Sequence, residues 1–252
     1  MSIRLFAFTC GRLTGDMSLF LPGQSGRIEV PVPSFLIEHP RGRVVFDTGL
    51  HPATQHEPEA RLGPLAKVFE VRFGPGEELA SRLESLDLDP GRVDFLVNSH
   101  LHFDHAGGNS QLPNARLVLQ KREWEAASDP DLRARNGFDP TDFDLGQSLL
   151  TIDGEYDLFG DGTVVCLPTW GHTPGHQSLR VALDSGPVIL TGDACYLRRT
   201  LEELILPSVV HDAEAMLASL HRLRDLERQG ARLIFGHDPG LWATIPQSSA
   251  IT

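Results

Sequence analysis

The chain has 252 residues and a formal net charge of −12 at pH 7. This length is sufficient for one α/β domain with a large core, and the apolar segments are evenly spread, so we expect a single domain over residues 1–252. The acidic balance argues against a nucleic-acid backbone or an anionic membrane surface as partner, because both are bound by clusters of Lys and Arg. Small neutral molecules remain open as partners.

The cysteines bear on the compartment. Cys10, Cys166 and Cys195 are odd in number and widely separated, which is typical of a reducing cytoplasm rather than of a disulfide scaffold. No apolar run approaches the length of a membrane span, and the N-terminal residues lack the pattern of a secretory signal. We therefore expect a cytoplasmic protein, either a monomer or a homodimer.

The first part of the chain predicts strands joined by a long connection. Residues 3–8 favour a strand, and the glycine-containing segment after them is expected to cross the surface. The apolar residues 17–21 of that segment either pack on the core or form part of a binding wall. Residues 30–38 and 43–46 predict an antiparallel pair, and the two prolines of the first strand favour an edge position or a strand beginning.

The middle of the chain predicts short helices around two strands. Residues 51–75 are long for a plain connection and predict a partly helical insertion over the site. Residues 77–86 have helical spacing, and residues 95–97 form an apolar run typical of a buried strand. A strand over 115–119 and a helix over 121–127 follow; we expect the polar, proline-bearing stretch 128–146 to be exposed.

The last part predicts further strands and one long helix. Strands are expected over 163–167, 178–183, 188–190 and 232–235. Asp212 is placed to cap a helix that ends at Gly230, and we expect the residues after Pro246 to form a frayed tail. Periodicity alone supports only a mixed α/β protein.

The stretch 98–109 carries the strongest chemical signal. His100, His102, Asp104 and His105 lie within six residues, directly after the predicted strand 95–97. If the chain leaves the strand still extended, side chains two residues apart point the same way, so His100 and His102 can converge on one cation. Asp104 and His105 follow where the chain turns, and two glycines at 107–108 permit a tight backbone beneath a second cation.

Three isolated residues complete the set of ligands. His172, Asp193 and His237 each follow an apolar run and a glycine, the pattern of a side chain presented at a strand end. Seven ligands suffice for two cations in four- or five-coordinate sites. The chemistry that needs two cations is activation of water together with polarisation of an electrophilic oxygen.

In these motifs the sequence resembles the metallo-β-lactamase superfamily of dinuclear hydrolases, and within it the N-acyl-homoserine-lactone lactonases, the quorum-quenching enzymes. The resemblance rests on residues 99–109, 171–179, 191–196 and 235–238, and extends from about Ile3 to Trp242. The tyrosine three residues after Asp193 narrows it to the lactonases. The resemblance implies an α/β fold of the four-layer αβ/βα sandwich type, with the metals at one edge between strand-end loops.

The resemblance also implies roles for the ligands. One metal would be held by His100, His102 and His172, the other by Asp104, His105 and His237, with Asp193 bridging. Both cations are expected to be zinc, with Co, Mn and Fe as alternatives, because imidazole and carboxylate suit all four. A hydroxide between the metals would attack the lactone carbonyl and open the ring.

Further residues are assigned around the metals. By the resemblance, Tyr196 would hydrogen-bond the substrate carbonyl or the developing oxyanion, and Asp104 would give a proton to the ring-opening oxygen. Asp47 is either a support for a metal ligand or a turn residue, whereas we expect His176 and Cys195 to pack or to hydrogen-bond without binding metal. An acyl channel is predicted to be walled by Met17, Phe69, Phe73 and Phe103, with Tyr196 also contacting the substrate.

Other functions remain as alternatives. A broader lactonase or a glyoxalase II-like thioesterase would share the metal ligands, although the latter carries a basic C-terminal helical segment for glutathione and only about fifteen residues follow His237 here. Nucleases of the superfamily need basic exosites and extra domains. A metal-stabilised binding module would predict missing ligands, and all seven are present.

Overall fold

The computed structural model describes residues 2–251, which form two β-sheets with helices on their outer faces. The strands of the first sheet are β1 (Arg4–Asp16), β2 (Arg27–His39), β3 (Gly42–Phe46), β4 (Glu70–Arg72), β5 (Phe95–Val97), β6 (Arg116–Gln120) and β7 (Leu149–Ile152). Their order is β4-β1-β2-β3-β5-β6-β7. β1 pairs antiparallel with β2 and with β4, and β2 pairs antiparallel with β3. From β3 onwards, β5, β6 and β7 each join the preceding strand in parallel.

The second sheet is smaller. Its strands are β8 (Tyr156–Asp157), β9 (Val164–Pro168), β10 (Gln177–Leu183), β11 (Gly186–Leu190) and β12 (Arg232–Ile234), in the order β12-β11-β10-β9-β8. β8 to β11 pair antiparallel, and β12 joins β11 in parallel.

The described residues include ten α-helices, several of them a single turn. They are α1 (Met17–Phe20), α2 (Pro58–Leu62), α3 (Leu79–Glu84), α4 (Phe103–Ala106), α5 (Lys121–Ser128), α6 (Pro130–Arg135), α7 (Pro140–Phe143), α8 (Arg198–Glu203), α9 (Ala213–Arg228) and α10 (Pro239–Trp242). Asp212 caps α9 as predicted, since its side chain accepts a hydrogen bond from Ala215 N. Within residues 2–251, none of these helices is both long and apolar enough to span a bilayer.

The alternation of side chains along the strands separates the structure into layers. On β1, Leu5 and Ala7 join the apolar core between the sheets, whereas Phe6 and Phe8 face α3 and α5 on the outer side. The second sheet does the same, because alternate residues of β9, β11 and β12 pack on α8 and α9. This arrangement is the four-layer αβ/βα sandwich, and the predicted fold is confirmed.

One prediction near the N-terminus is wrong, and another holds locally. The glycine-containing segment expected as a surface connection continues β1 as far as Asp16. β2 pairs with β3 only from Phe35 onwards, so its first half, which carries Pro31 and Pro33, has β1 as its one paired strand among the described residues. A strand with one paired side tolerates proline, as the sequence predicted.

Two segments expected to be exposed contribute to the core. In the stretch 128–146, Phe138 and Phe143 are buried, and Phe143 packs edge-on against Trp124 of α5. The residues after Pro246 form isolated bridges to β1, where Ile251 pairs with Leu5 and is buried. In both cases a few apolar side chains in a polar stretch are enough to dock it on the sandwich.

Candidate metal centre and substrate cavity

The parallel strands end at one edge of the sandwich, and this edge collects the predicted ligands. β5 ends two residues before Ser99, β11 ends three residues before Asp193, and β12 ends three residues before His237. His172 follows β9, whose partner β10 begins only after the loop has turned back at Gly175. Strands of both sheets therefore bring residues from distant parts of the sequence to one place.

Four of the ligands form a first group, made of His100, His102, His172 and Asp193, whose ligand atoms lie within 4.8 Å of one another. His102 Nδ1 lies 2.9 Å from His100 Nε2 and 3.0 Å from His172 Nε2. Asp193 Oδ2 lies 3.4 Å from His172 Nε2 and 3.8 Å from His100 Nε2. We call this group the three-histidine site.

The second group consists of Asp104, His105 and His237. Asp104 Oδ2 lies 3.7 Å from His105 Nε2 and 3.6 Å from His237 Nε2. The other carboxylate oxygen of Asp193, Oδ1, is 3.2 Å from His105 Nε2 and 3.1 Å from His237 Nε2. Asp193 thus turns one oxygen to each group, which is the geometry of a bridging carboxylate.

The donor set fits divalent cations. His105 Nε2 and Asp193 Oδ1 are buried and lack hydrogen-bond partners among the described residues. Buried polar atoms are rarely left without a partner, and a cation between them would satisfy both. Imidazole nitrogens and carboxylate oxygens are the ligands that zinc and its first-row neighbours accept.

The ring nitrogens that point away from the cluster are held by acceptors. His102 Nε2 donates to the carbonyl of Asn136 at 2.8 Å, and His172 Nδ1 to that of Val209 at 3.1 Å. His237 Nδ1 donates to Pro31 O at 2.8 Å. Each acceptor fixes the tautomer, so that the other ring nitrogen presents its lone pair to the cluster.

Asp47 organises the start of the ligand loop. Its carboxylate accepts hydrogen bonds from Ser99 N at 2.6 Å and from His105 Nδ1 at 2.8 Å. Ser99 Oγ donates to the same carboxylate at 2.8 Å and lies 2.9 Å from His100 Nδ1. Asp47 adopts a left-handed backbone, with φ of 56°, at the end of β3. Such a conformation in a residue other than glycine requires compensating contacts, and the three hydrogen bonds supply them.

The histidines of the cluster differ in the direction in which their pKa is shifted. Burial lowers the pKa of His100 and of His172 well below the ordinary value, so both rings are neutral at pH 7. Burial acts in the same direction on His105, but the carboxylates of Asp193 and Asp104 outweigh it and raise the pKa of His105 well above its usual range. The carboxylates of the second group therefore stabilise positive charge between its rings, which a bound cation would supply.

His176 and Cys195 lie beside the cluster without joining either group. His176 Nε2 accepts a hydrogen bond from Asp193 N at 3.0 Å, and its Nδ1 lies 3.0 Å from Thr169 Oγ1. Burial lowers the pKa of His176 to about 3, so the ring is a neutral support for the backbone of Asp193. Burial raises the pKa of the Cys195 thiol well above its ordinary value, which leaves it unreactive.

Sequence reasoning missed several supporting groups. Glu123 is fully buried behind the ligand loops, and burial raises its pKa to about 7. A signal for it existed, because Glu123 shares a helical face with Ala126 and Ala127, which are apolar and buried. The carbonyls that hold His102, His172 and His237 had no sequence signal, since every residue carries one.

A cavity of about 270 Å³ opens beside the cluster. Asp104, Asp193 and Tyr196 face it from the ligand side, and Phe69 and Phe103 line it from the other. The ring centroids of Phe69 and Phe103 are 6.2 Å apart, so the two predicted wall residues form one surface.

The other two predicted wall residues lie elsewhere. Phe73 is buried in the core, where it approaches Gly11, and Met17 is partly buried beside the same core; neither lines the cavity. The insertion that carries Phe69 and Phe73 is partly helical as expected, but its end forms β4 and turns Phe73 inward. Phe20 and Leu65, which also line the cavity, belong to the two apolar segments expected near the site. The missed lining residues are Leu13, Val30, Val209 and the segment Ala134, Arg135, Asn136, Gly137.

Comparison with known proteins tests the resemblance directly. The family model of the metallo-beta-lactamase superfamily matches residues 27–237. The chain belongs to this superfamily. The predicted family is confirmed, and the four-layer fold described above is its architecture.

The curated proteins that the chain resembles include N-acyl homoserine lactonases. The chain is 37% identical over 233 residues to an N-acyl homoserine lactonase of Azorhizobium caulinodans, an alignment that covers 90% of this chain and 89% of the relative. It is 30% identical over 242 residues to an N-acyl homoserine lactonase of Bacillus thuringiensis subsp. kurstaki, with 93% of both chains covered.

Solved structures of lactonases have the same fold as this chain. An N-acyl homoserine lactone hydrolase with the product N-hexanoyl-L-homoserine at its catalytic metal centre superposes with a TM-score of 0.88, at 27% identity over 100% of both chains. A Bacillus thuringiensis lactonase variant with N-decanoyl-L-homoserine in its active site gives the same TM-score at 26% identity, again over 100% of both chains. The sequence-based resemblance to the lactonases is confirmed.

Proposed function

We propose that this protein is a metal-dependent hydrolase that opens the lactone ring of N-acyl homoserine lactones, a quorum-quenching activity. The observation that carries the proposal is the single cavity in which both ligand groups and Tyr196 face an apolar wall. A polar lactone head would lie at the cluster and an acyl chain along the wall. The activity of the relatives described above supports the same assignment.

Two divalent cations would complete the site, one in the three-histidine site and one in the second group, with Asp193 shared. We propose zinc, with Co, Mn and Fe as alternatives that the same donors accept. When bound, such cations lower the pKa of coordinated water into the neutral range and polarise a carbonyl oxygen.

Tyr196 is positioned to act on the substrate carbonyl. Its ring centroid lies 5.6 Å from that of His172 and 5.3 Å from that of His237, between the two ligand groups. Burial, together with the charges of Asp193 and Asp104, raises the pKa of Tyr196 well above its ordinary value. The hydroxyl therefore stays protonated and can donate a hydrogen bond to the oxygen on which negative charge develops.

Asp104 supports the departure of the ring oxygen. Its carboxylate faces the cavity and belongs to the second ligand group. The proton that the attacking water loses as it adds to the lactone carbonyl would pass by way of the Asp104 carboxylate to the ring oxygen as the C–O bond breaks.

The cysteines, the charge and the cavity support the cytoplasm as compartment and a small molecule as partner. The three cysteines are buried free thiols, which supports the cytoplasm as compartment. The acidic chain and the enclosed cavity support a small neutral lactone as partner rather than a polymer.

The alternative function, a glutathione thioesterase, needs Lys or Arg side chains that bind the carboxylates of glutathione. Among the described residues that line the cavity, Arg135 is the one Lys or Arg, and it is exposed. The apolar wall favours an acyl chain over a charged tripeptide.

Purified protein loaded with zinc tests the proposal in a pH-drop assay. We expect turnover of N-hexanoyl homoserine lactone, slower turnover of γ-butyrolactone, and little of a glutathione thioester. Preference for the thioester would instead establish the alternative, and a zinc content below two per chain would contradict the proposed centre.

A further inference from the structure

One buried acidic side chain has no part in the roles assigned so far. Glu123 lies in the first turn of α5 with none of its surface exposed. A carboxylate this deeply buried must be compensated by hydrogen bonds or charges, because its desolvation is costly. Its partners identify what it does.

Glu123 joins the two loops that carry the three-histidine site. Glu123 Oε1 accepts a hydrogen bond from Leu101 N at 3.1 Å, and Leu101 stands between His100 and His102. Glu123 Oε2 accepts from Gly175 N at 2.8 Å and from Thr173 Oγ1 at 2.9 Å. Thr173 directly follows the third histidine in the sequence, so one carboxylate fixes the backbone on both sides of this site.

The contact between α5 and the second loop is close. A Cβ placed on Gly175 would lie 2.7 Å from Glu123 Cβ, a distance that side chains do not tolerate. The absence of a side chain at 175 lets the loop backbone reach the carboxylate, and this close approach explains the glycine.

The second ligand group is held from other directions. Asp47 accepts from His105, and the carbonyl of Pro31 accepts from His237. Leu101 lies in the same loop as His105, and Asp47 also holds Ser99 beside His100, but the three hydrogen bonds that Glu123 accepts come from Leu101, before α4, and from residues 173–175. The supports of the two groups are therefore largely separate.

We infer that Glu123 is a positioning residue that sets the geometry of the three-histidine site and leaves the second group to Asp47 and Pro31. The inference rests on the metal centre of the proposed function. It assigns a selective role, because loss of Glu123 releases the two loops against each other, while His105 keeps its hydrogen bond to Asp47 and His237 keeps its hydrogen bond to Pro31.

Glutamine cannot replace this carboxylate. Each oxygen of Glu123 accepts a backbone N–H, from Leu101 or from Gly175. In Glu123→Gln one of these N–H groups must face the amide NH2 in either orientation and remain unpaired. The loop that carries that N–H then loses its anchor.

The test is zinc binding by the full-length chain. Competition with a chromophoric chelator gives two stepwise dissociation constants, and anomalous diffraction from crystals at partial zinc occupancy assigns them to the two groups. For Glu123→Gln we expect affinity at the three-histidine site to fall about 10- to 100-fold, the range for lost outer hydrogen bonds to a metal site. The second site should lose clearly less affinity, because His105 and His237 keep their own hydrogen bonds to Asp47 and Pro31.

Two further variants make the result specific. Glu125 lies on the same helix but is exposed, and within residues 2–251 its one ion pair is with Lys121 at 3.7 Å. Both affinities should therefore stay at wild-type values in Glu125→Gln. Thr173→Val removes one of the three donors and keeps the backbone bonds, and should weaken the same site by about 2- to 10-fold. This variant decides the question if Glu123→Gln does not fold.

Each outcome separates the two hypotheses. Equal losses at both sites, or a lower melting temperature with unchanged affinities, would show that Glu123 is merely structural and overturn the inference alone. A wild-type chain that binds fewer than two zinc ions would overturn the proposed centre and this inference with it.

Discussion

The ligand cluster and the apolar wall opposite it are built on different principles. The ligands of the cluster are buried or nearly so, and their rings and carboxylates are fixed by hydrogen bonds to several separate elements. The wall is held mainly by apolar contacts, and its outer residues Leu65 and Val209 are 36% and 52% exposed. Geometry is therefore fixed tightly where bonds react, whereas the surface that meets an acyl chain is free to vary.

The wall has one strong polar attachment. Arg61, in the last turn of α2, lies 2.8 Å from Asp139 and also pairs with Asp142. This links the insertion that carries Phe69 to the segment that carries residues 134–137, and both line the cavity. The wall is thus assembled from two segments joined at a point away from the reacting groups.

The largest effect is expected at the shared ligand. Asp193→Asn should lower zinc content towards one per chain and reduce turnover to background, because the amide cannot serve both groups as an anionic bridge. Metal analysis and lactonase assays check this. A fully active variant that still binds two zinc ions would refute the bridging role.

Removal of the tyrosine hydroxyl should separate chemistry from metal binding. Tyr196→Phe is expected to keep both metals and the fold while kcat/KM falls by about 10- to 1000-fold, the range for one lost donor to an oxyanion. If the variant loses its metals, Tyr196 belongs to the structural support of the cluster.

Removal of Arg61, which joins the two segments of the wall, should lower the free energy of unfolding by an amount that depends on pH. Burial raises the pKa of Asp142 to about 6, against the opposing charge of Arg61. Above that pH, Asp142 is charged and needs Arg61, so Arg61→Ala should destabilise the protein by about 3 kcal/mol at pH 8. Below it Asp142 is neutral, and the loss relative to wild type should shrink at pH 5.

Thermal unfolding of both proteins at the two pH values measures this difference. Equal losses at pH 5 and pH 8 would mean that Arg61 stabilises the protein through Asp139, which is charged at both pH values, or through packing, and not through Asp142. Zinc stoichiometry at pH 8 should not change, since Arg61 touches neither ligand group.

The smallest effect concerns the acyl chain. Phe69→Ala should raise KM for a twelve-carbon substrate about 10-fold more than for a four-carbon one, since each buried methylene contributes about 0.8 kcal/mol. Phe73→Ala is the matched control, because Phe73 packs in the core and its loss should lower stability without regard to chain length. Equal changes in both substrates for Phe69→Ala would remove it from the wall.

Local pattern was sufficient for much of the molecule. The ligand run from His100 to His105, the capped helix α9 and most strands follow from residue spacing, which acts over a few neighbours. The three isolated candidate ligands, which the structure brings to the same edge, were predicted because each follows an apolar run and a glycine. The superfamily, and through it the fold, followed from those same motifs.

Tertiary structure decided most of the supports and much of the wall. The docking of Ile251 on β1 and the inward turn of Phe73 depend on partners far along the chain. For Glu123 the helical face it shares with Ala126 and Ala127 indicated burial, but the loops it joins became known only from the structure. Spacing encodes which residues share a face, but a hydrogen bond to a distant backbone group leaves no mark in the sequence, because every residue offers the same carbonyl and nearly every one the same N–H.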